Sequence, residues 1–336
     1  SFHCPSLVFS RIYGKIFLLS LKGGECMPST DNGIVYHYCS LEAFKSIIEN
    51  ECLWLCDVEK SNDSAERIYF EKIMLKQIEL YTNDLKRSDK ANKNSALKIL
   101  EFIQKAIQSP LTERAPVYSC SFSYNGDQLS QWRGYADDGY GVAIGFYKTN
   151  FQEITPKECF RDVNYSRNQA EEQCRKILEK AFDYFFREKH SNTNSSDLFF
   201  IFPILHHLVH DEVFFKSESF QEENECRLAT ADPANEYDES RSLYQTETHS
   251  FSLQTPAFIP DDNHPFILSN KKFRISNHRL SGYYELSFSK IKNDIIHSIL
   301  LGPKCLAKPR DIQIFLQCHG YDTDPIEIIP SKATYR

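Results

Sequence analysis

The sequence predicts an α+β fold with helical insertions, and three observations predict it. Short strand-like runs of mixed pattern are interrupted by long helical stretches rather than alternating with them in βαβ order. Each strand-like run is bounded by turn or capping residues. No GxGxxG fingerprint and no P-loop occurs, so the standard dinucleotide and triphosphate cradles are not expected.

The elements follow in order. Ile34–Tyr38 reads as a strand carrying one histidine, His37. Ser40 is placed to cap a helix over Leu41–Asn50, whose apolar face is Leu41, Phe44, Ile47 and Ile48. The space beside such a helix start suits phosphate or ribose. Leu53–Cys56 is a second short strand. Asn62, Asp63 and Glu66 form a capping pattern for a helix over Arg67–Leu85, with Ile68, Ile73, Leu75, Ile78 and Leu80 at helical spacing. Lys86 to Asn94 is a charged break. Ala96–Ile107 resumes a helix, which Pro110 and Pro116 end.

Val117–Ser123 alternates as a strand, Asn125-Gly126-Asp127 turns the chain, and a short helix runs from Gln128 to Tyr135. Gly141–Phe146 and Phe160–Tyr165 are strands, Ala170–Lys189 a long helix, and Leu198–Val213 an apolar helix despite Pro203. Cys226–Thr230 is a strand behind an acidic stretch, and residues 231–252 have no clear pattern. Strands are expected at Tyr283–Ser289, Ile295–Leu301 and Pro325–Pro330, with a helix at Pro309–Gly320 ending on a glycine cap.

The chain has 336 residues, 41% of them hydrophobic and 25% charged, enough to bury a substantial core. Phe and Tyr number 25 and 18 against 12 glycines, which argues for a folded chain with little linker. The formal net charge of −7 gives no basic excess for broad nucleic-acid binding. The 11 cysteines are scattered without a CxxC pair, which reads as reduced thiols and a cytoplasmic setting rather than a disulfide framework. No apolar run reaches membrane-spanning length. Met27 precedes the first clear strand, so residues 1–26 read as a non-native or flexible extension and 27–336 as a single domain with helical insertions at about 64–115 and 165–222.

Four polar stretches stand out as chemistry: His37; Asn62 with Asp63 and Glu66; Ser130-Gln131-Trp132-Arg133-Gly134-Tyr135; and Asn224-Glu225-Cys226-Arg227. A carboxylate at a strand mouth, Glu225, is the group that can support a developing oxocarbenium ion. Tyr135 can stack a flat ring, and a histidine can hold a ribose hydroxyl. Each has a plainer reading beside it. His37 suits a satisfied buried histidine, Asn62-Asp63-x-x-Glu66 a helix cap, Trp132 the core, Arg133 a partner for Asp137 or Glu225, and Glu225 one more surface acid. His206 and His210 share a helix face at i, i+4 spacing and are the one candidate for a metal, although no metal is expected.

These motifs carry a resemblance. The order Tyr-His-Tyr-x-Ser, Leu-Trp-Leu-x-Asp with Ser-Asn-Asp-x-x-Glu, Cys-Ser-Phe-Ser, Gln-Trp-Arg-x-Tyr-Ala-Asp-x-Gly-x-Gly-Val-Ala-Ile-Gly-Phe, Glu-Cys-Arg-Leu, Leu-Leu-Gly-Pro and a terminal Ile-Pro-Ser-x-x-x-Tyr-Arg is similar to a bacterial family described as domain of unknown function 2971, over about residues 34–336. That family distantly resembles the His-Tyr-Glu branch of the ADP-ribosyltransferase superfamily.

The resemblance implies a split, mixed β-sheet core. It also implies an NAD+-using enzyme, a glycosyltransferase that moves ADP-ribose to a macromolecule or a glycohydrolase, in the setting of a toxin or phage-defence effector. It implies Glu225, His37 and Tyr135 as catalytic. His37, Ser40, Asn62, Ser121, Trp132, Arg133 and Tyr135 would then contact NAD+ bound as substrate. Trp132 and Tyr140 are alternatives for the stacking role, and Tyr38-Cys39-Ser40 stands where a glycine-rich dipeptide follows the histidine in that superfamily. The implied partners are NAD+ and a protein or nucleic-acid acceptor, with no membrane. A non-catalytic nucleotide-sensing or protein-interaction module is the second expectation, and a metal-dependent hydrolase the third.

Overall fold

The computed structural model describes residues 33–60, 65–88, 93–108, 116–152, 155–156, 159–188, 211–232, 260, 263–276 and 278–335. The expected strand at 34 is β1, Ile34–Cys39. Ser40 caps α1, Leu41–Asn50, its Oγ accepting the Ala43 N–H at 3.1 Å, and Glu51 ends the helix in the left-handed region. β2 is Cys52–Asp57, α2 Ala65–Arg87 and α3 Lys93–Gln108. β3 is Val117–Ser123, α4 Leu129–Tyr135, β4 Val142–Tyr147, α5 Thr149–Gln152, β5 Phe160–Asp162 and α6 Arg167–Glu188.

β6 is Glu225–Ala231, β7 Ile267–Leu268, β8 Lys272–Ser276 and β9 Arg279–Ser287. α7 is Lys292–Ile295, β10 Ile296–Leu301, α8 Pro309–Cys318 and β11 Glu327–Pro330.

Among the described residues the strands form one sheet of 11, antiparallel except for the β10–β11 pair. The fold class is therefore mixed α and β on a mixed sheet, as the sequence predicts. The expected strand at Phe160–Tyr165 stops at Asp162, because Asn164 leaves the sheet to bridge Phe215. β7 and β8 were not expected: Lys271, Lys272 and Arg274 mask the alternation of an edge hairpin. The helix expected over Leu198–Val213 and the patternless stretch 231–252 lie mostly outside the described residues.

The sheet forks at β3. One long edge of β3 pairs with β6 throughout, Val117 to Ala231 and on to Ser123 with Glu225. The other edge is shared. β1 meets it at Tyr36–Ser123, and β2 meets it at Cys56–Ser119 and Asp57–Tyr118. From there β1 continues to β4, β10 and β11, while β2 continues to β9.

Because side chains alternate between faces of a strand, each face has its own content. One face carries Val35, Leu53, Leu55, Tyr118, Cys120, Phe122, Ile144, Phe146, Cys226 and Leu228. It packs under α1 and α8 through Phe44, Ile47, Ile48, Ile312 and Leu316 as the main core. Among the described residues, the other face is covered at two places. Tyr38, Ala143 and Leu300 meet Trp132 and Ala136 of the α4 region, and Val117 and Ala229 meet Val58, Val213 and Phe214.

The two expected helical insertions pack on each other. Phe70, Met74 and Ile78 of α2 meet Ile99, Leu100 and Ile103 of α3 and Cys174, Ile177 and Leu178 of α6. The buried stripe of α2 is thus Phe70-Ile73-Met74-Ile78, at i, i+3, i+4, i+8, while Ile68 and Leu80 of the helical spacing are about half exposed at 48% and 45%.

Candidate functional site

Between the two covers of the second face runs a strip of small hydroxyls: Ser119, Ser121 and Ser123 of β3. Ser121 is exposed although β3 has neighbours on both edges. An exposed side chain at the middle of an interior strand marks a cleft, because the covering elements stop short on both sides.

One wall rises from β6. Glu225 and Arg227, two residues apart on a strand, point to the same face, and Arg227 stands opposite Ser121. Arg227 grips Glu225 with Nε to Oε1 at 2.6 Å and Nη2 to Oε2 at 3.0 Å, and donates Nη1 to the Val213 carbonyl at 2.7 Å. Lys216 Nζ lies 2.8 Å from the same Glu225 Oε2 and 2.6 Å from Glu223 Oε2. The Tyr135 hydroxyl donates to Glu223 Oε1 at 3.0 Å. Two carboxylates and two cations balance, and Lys216, Glu225 and Arg227 are 2%, 6% and 4% exposed.

Burial by itself pushes the Glu225 carboxyl up. The Arg227 guanidinium and the Lys216 ammonium outweigh burial and hold it below the usual carboxylate range. The Glu225 backbone N–H donates to the Tyr165 hydroxyl at 2.9 Å, which fixes the mouth of β6 after the left-handed Asn224.

The opposite wall comes from β2, β8 and β9. Trp54 and Tyr283 place their ring centroids 4.5 Å apart, Arg274 lies over Trp54 with its guanidinium carbon 5.3 Å from the ring centroid, and Arg274 Nη2 is 3.5 Å from Cys56 Sγ. Cys56 is the β2 residue paired with Ser119, so this wall joins the serine floor directly. Burial raises the Cys56 thiol, against the pull of Arg274.

The expected site residues are distributed as follows. Tyr135 and Glu225 belong to one network, through Glu223 and Lys216. His37 does not join them, because it stands on the main-core face, beside Phe122 and 3.7 Å from Cys120 Sγ, whereas Glu225 is on the other face. His37 Nδ1 is 3.0 Å from the Ser121 carbonyl. A carbonyl only accepts, so Nδ1 carries the proton and Nε2 the lone pair. The ring thus satisfies the Ser121 carbonyl on the β1 side of β3. Burial pushes the imidazole down, against that hydrogen bond.

Ser40 is the α1 cap. Ser121 is the exposed centre of the strip. Trp132 is fully buried, its Nε1 donating to Asp127 at 2.7 Å and its ring edge-on to Tyr38, so it is core rather than a contact surface. Arg133 was expected to pair with Asp137 or Glu225. Arg227 holds Glu225 instead, and Arg133 lies 5.9 Å from the Tyr335 ring centroid. Asn62, His206 and His210 lie outside the described residues. Among the described residues no group of three His, Cys, Asp or Glu is placed to hold a metal.

The Gln-Trp-Arg-x-Tyr stretch has an architectural role besides. Asp127 accepts from Trp132 and from the Lys332 backbone N–H at 2.7 Å and is hydrogen-bonded to the Ser331 hydroxyl, while Tyr335 donates to Asp138 at 2.8 Å. The terminal Ile-Pro-Ser-x-x-x-Tyr motif is therefore docked onto it. Gly141 approaches so closely that an added Cβ would lie 2.1 Å from the Cys39 carbonyl oxygen.

The residue that sequence reasoning missed on one wall is Lys216, with the roles of Glu223 and Arg227 around Glu225; on the other wall it missed Trp54, Cys56, Tyr283 and Arg274. The i, i+2 spacing of Glu225 and Arg227 was the available signal for the first.

The model of a family described as a protein of unknown function (DUF2971) matches residues 131–228, from the Gln-Trp-Arg block to Glu-Cys-Arg-Leu. No curated protein and no solved structure matches the chain.

Proposed function

We propose that this chain is a nucleotide-binding module that holds NAD+ or a related adenine nucleotide over the serine strip and senses it without cleaving it. The observation that carries this reading is the state of Glu225. Cleaving the nicotinamide–ribose bond passes through a cation that an anion must support. Both Glu225 oxygens are engaged by Arg227 and Lys216, and their charges offset its own. A ribosyl cation beside that cluster would meet a neutral group. The cleft has what binding needs: hydroxyls for ribose, a Trp54–Tyr283 face for a flat ring and a guanidinium for phosphate. The sequence resemblance to ADP-ribosyltransferases points to NAD+ as the ligand to try first.

One observation favours a second reading, ADP-ribosyl transfer to a protein or nucleic acid, or NAD+ glycohydrolysis. Tyr135 and Glu225 are joined by Glu223 and Lys216, so a ligand that draws Lys216 away would reach both. That reading requires the carboxylate to be released on binding.

Purified protein titrated with NAD+, with nicotinamide release followed in parallel, separates the two. Saturable quenching of Trp54 fluorescence, absent in Trp54→Phe, with no release above that of Glu225→Gln, is the expected result. Nicotinamide release by the wild type that disappears in Glu225→Gln would overturn sensing and support turnover. Absence of NAD+ binding by the wild type would remove both.

A further inference from the structure

We infer that Arg274, with Trp54, Tyr283 and Cys56 around it, is an anion-binding wall of the cleft, and that it takes the phosphate of the bound nucleotide. The inference rests on the nucleotide-binding reading for the identity of the ligand; the anion site itself stands on the residues that follow.

Arg274 is on β8, paired with Ser281, and alternation turns it to the cleft face while Phe273 and Ile275 turn to the other. A guanidinium carries five donors in a plane and is charged at every physiological pH. Among the described residues Nη2 reaches a thiol, the Cys56 Sγ at 3.5 Å, and Nε is buried with no hydrogen-bond partner. Of the nearby acids, Asp57 follows Cys56 but alternates to the other face with Tyr118, and Glu285, paired with Trp54 across the sheet, is held by Lys272 through its Oε2 at 2.6 Å.

The guanidinium is therefore positioned by an aromatic ring rather than by a carboxylate. That arrangement keeps a cation in place and leaves its hydrogen bonds for an incoming oxyanion. Trp54 and Tyr283, both half-buried and 4.5 Å apart, offer a flat apolar surface beside it. Ser119, across from Cys56, adds a hydroxyl at the floor. An anion joined to a flat ring or a ribose matches all three. Phosphate is favoured over a lone carboxylate because it can meet the guanidinium fork and the hydroxyl together.

Alkylation of Cys56 by iodoacetamide reports on occupancy, since Cys56 is half-buried beside Arg274, and exposed Cys318 serves as the internal reference. The probes are inorganic pyrophosphate, AMP and adenosine, each compared with no ligand within the same variant. In the wild type, pyrophosphate and AMP should slow Cys56 alkylation at least fivefold and adenosine much less, with Cys318 unchanged. Arg274→Gln should lose the pyrophosphate effect, and Arg274→Lys should keep part of it. Urea unfolding of each variant confirms that it is folded.

Equal protection by pyrophosphate in wild type and Arg274→Gln, or protection in neither, would overturn the anion wall. AMP and NAD+ binding that Arg274→Gln leaves unchanged would overturn it as well, while the nucleotide-binding reading stood. Pyrophosphate protection that depends on Arg274, with no binding of AMP or NAD+, would leave the anion wall standing and remove the nucleotide.

Discussion

Arg227 and Arg274 stand on the same face of one sheet, on opposite sides of the serine strip, and they are in opposite states. Arg227 spends its fork on Glu225 and its remaining Nη1 on the Val213 carbonyl, at 4% exposure. Arg274 is half-buried over Trp54, with the Cys56 thiol as the hydrogen-bond partner of Nη2 and a buried Nε that meets none among the described residues. A saturated buried arginine holds structure together, because removing either partner strands a charge. An arginine positioned without saturation is available to a ligand. The difference assigns the β6 wall to architecture and the β2–β8–β9 wall to binding.

The largest expected effect lies on the saturated side. Arg227→Met should cost about 3–5 kcal/mol in urea unfolding, since it leaves Glu225 buried with only Lys216. Combining it with Glu225→Leu should recover much of the loss. A cost near zero for Arg227→Met alone would mean the cluster is not an architectural unit, and the contrast between the two arginines would break.

Next is the edge of the strip. An added Cβ at Gly126 would lie 2.5 Å from the Tyr36 ring, and Tyr36 is paired in register with Ser123. Gly126→Ala should destabilise by about 1–3 kcal/mol, and Tyr36→Leu in the same chain should relieve part of it. If Tyr36→Leu gives no relief, the ring is not what limits that end of the cleft.

Acid sensitivity sharpens the comparison of the two faces. Glu225 has a folded pKa below its unfolded value, so its contribution is present above about pH 4.3 and is lost as pH falls through the folded value. His37 has a folded pKa below the ordinary imidazole value because burial disfavours its charge. Stability should therefore fall as pH drops below about 6.5, until the folded imidazole also protonates. His37→Asn keeps a donor for the Ser121 carbonyl without titrating and should flatten the slope just below pH 6.5, leaving the lower limb that Glu225→Gln removes. A slope unchanged in His37→Asn would detach His37 from that window.

The smallest expected effect is on the other arginine. Arg274→Gln should change stability by no more than about 0.5 kcal/mol, against the large loss at Arg227. A loss of several kcal/mol would make Arg274 a structural residue and erase the difference between the walls.

Much of the local architecture was legible in the chain. Val117–Ser123 and Leu41–Asn50 have the bounds their patterns predict, and Ser40 is the cap its position predicts, because alternation, helical spacing and capping act within a few residues. Trp132 as core, one of two readings open in the sequence, is the one the structure shows. The β8 half of the edge hairpin was hidden because its cleft-facing residues are basic and its apolar ones, Phe273 and Ile275, stand exposed on the other face. Ser121 and Glu225 were named from the sequence and lie on one face of the sheet, while Lys216 and Arg274 reach that face from nine residues upstream of Glu225 and from a different hairpin, distances over which no sequence period operates.

The sequence by itself determined most of the strands and helices and where most of them start, β1, α1 and β3 among them. The tertiary structure alone decided that His37 turns to the core face while Glu225 turns to the cleft, that Glu225 is neutralised, and that Arg274 keeps unspent donors. Secondary structure follows from neighbours along the chain. The saturation of a buried charge follows from which strands meet at the β3 fork, and that is settled only when the whole sheet closes.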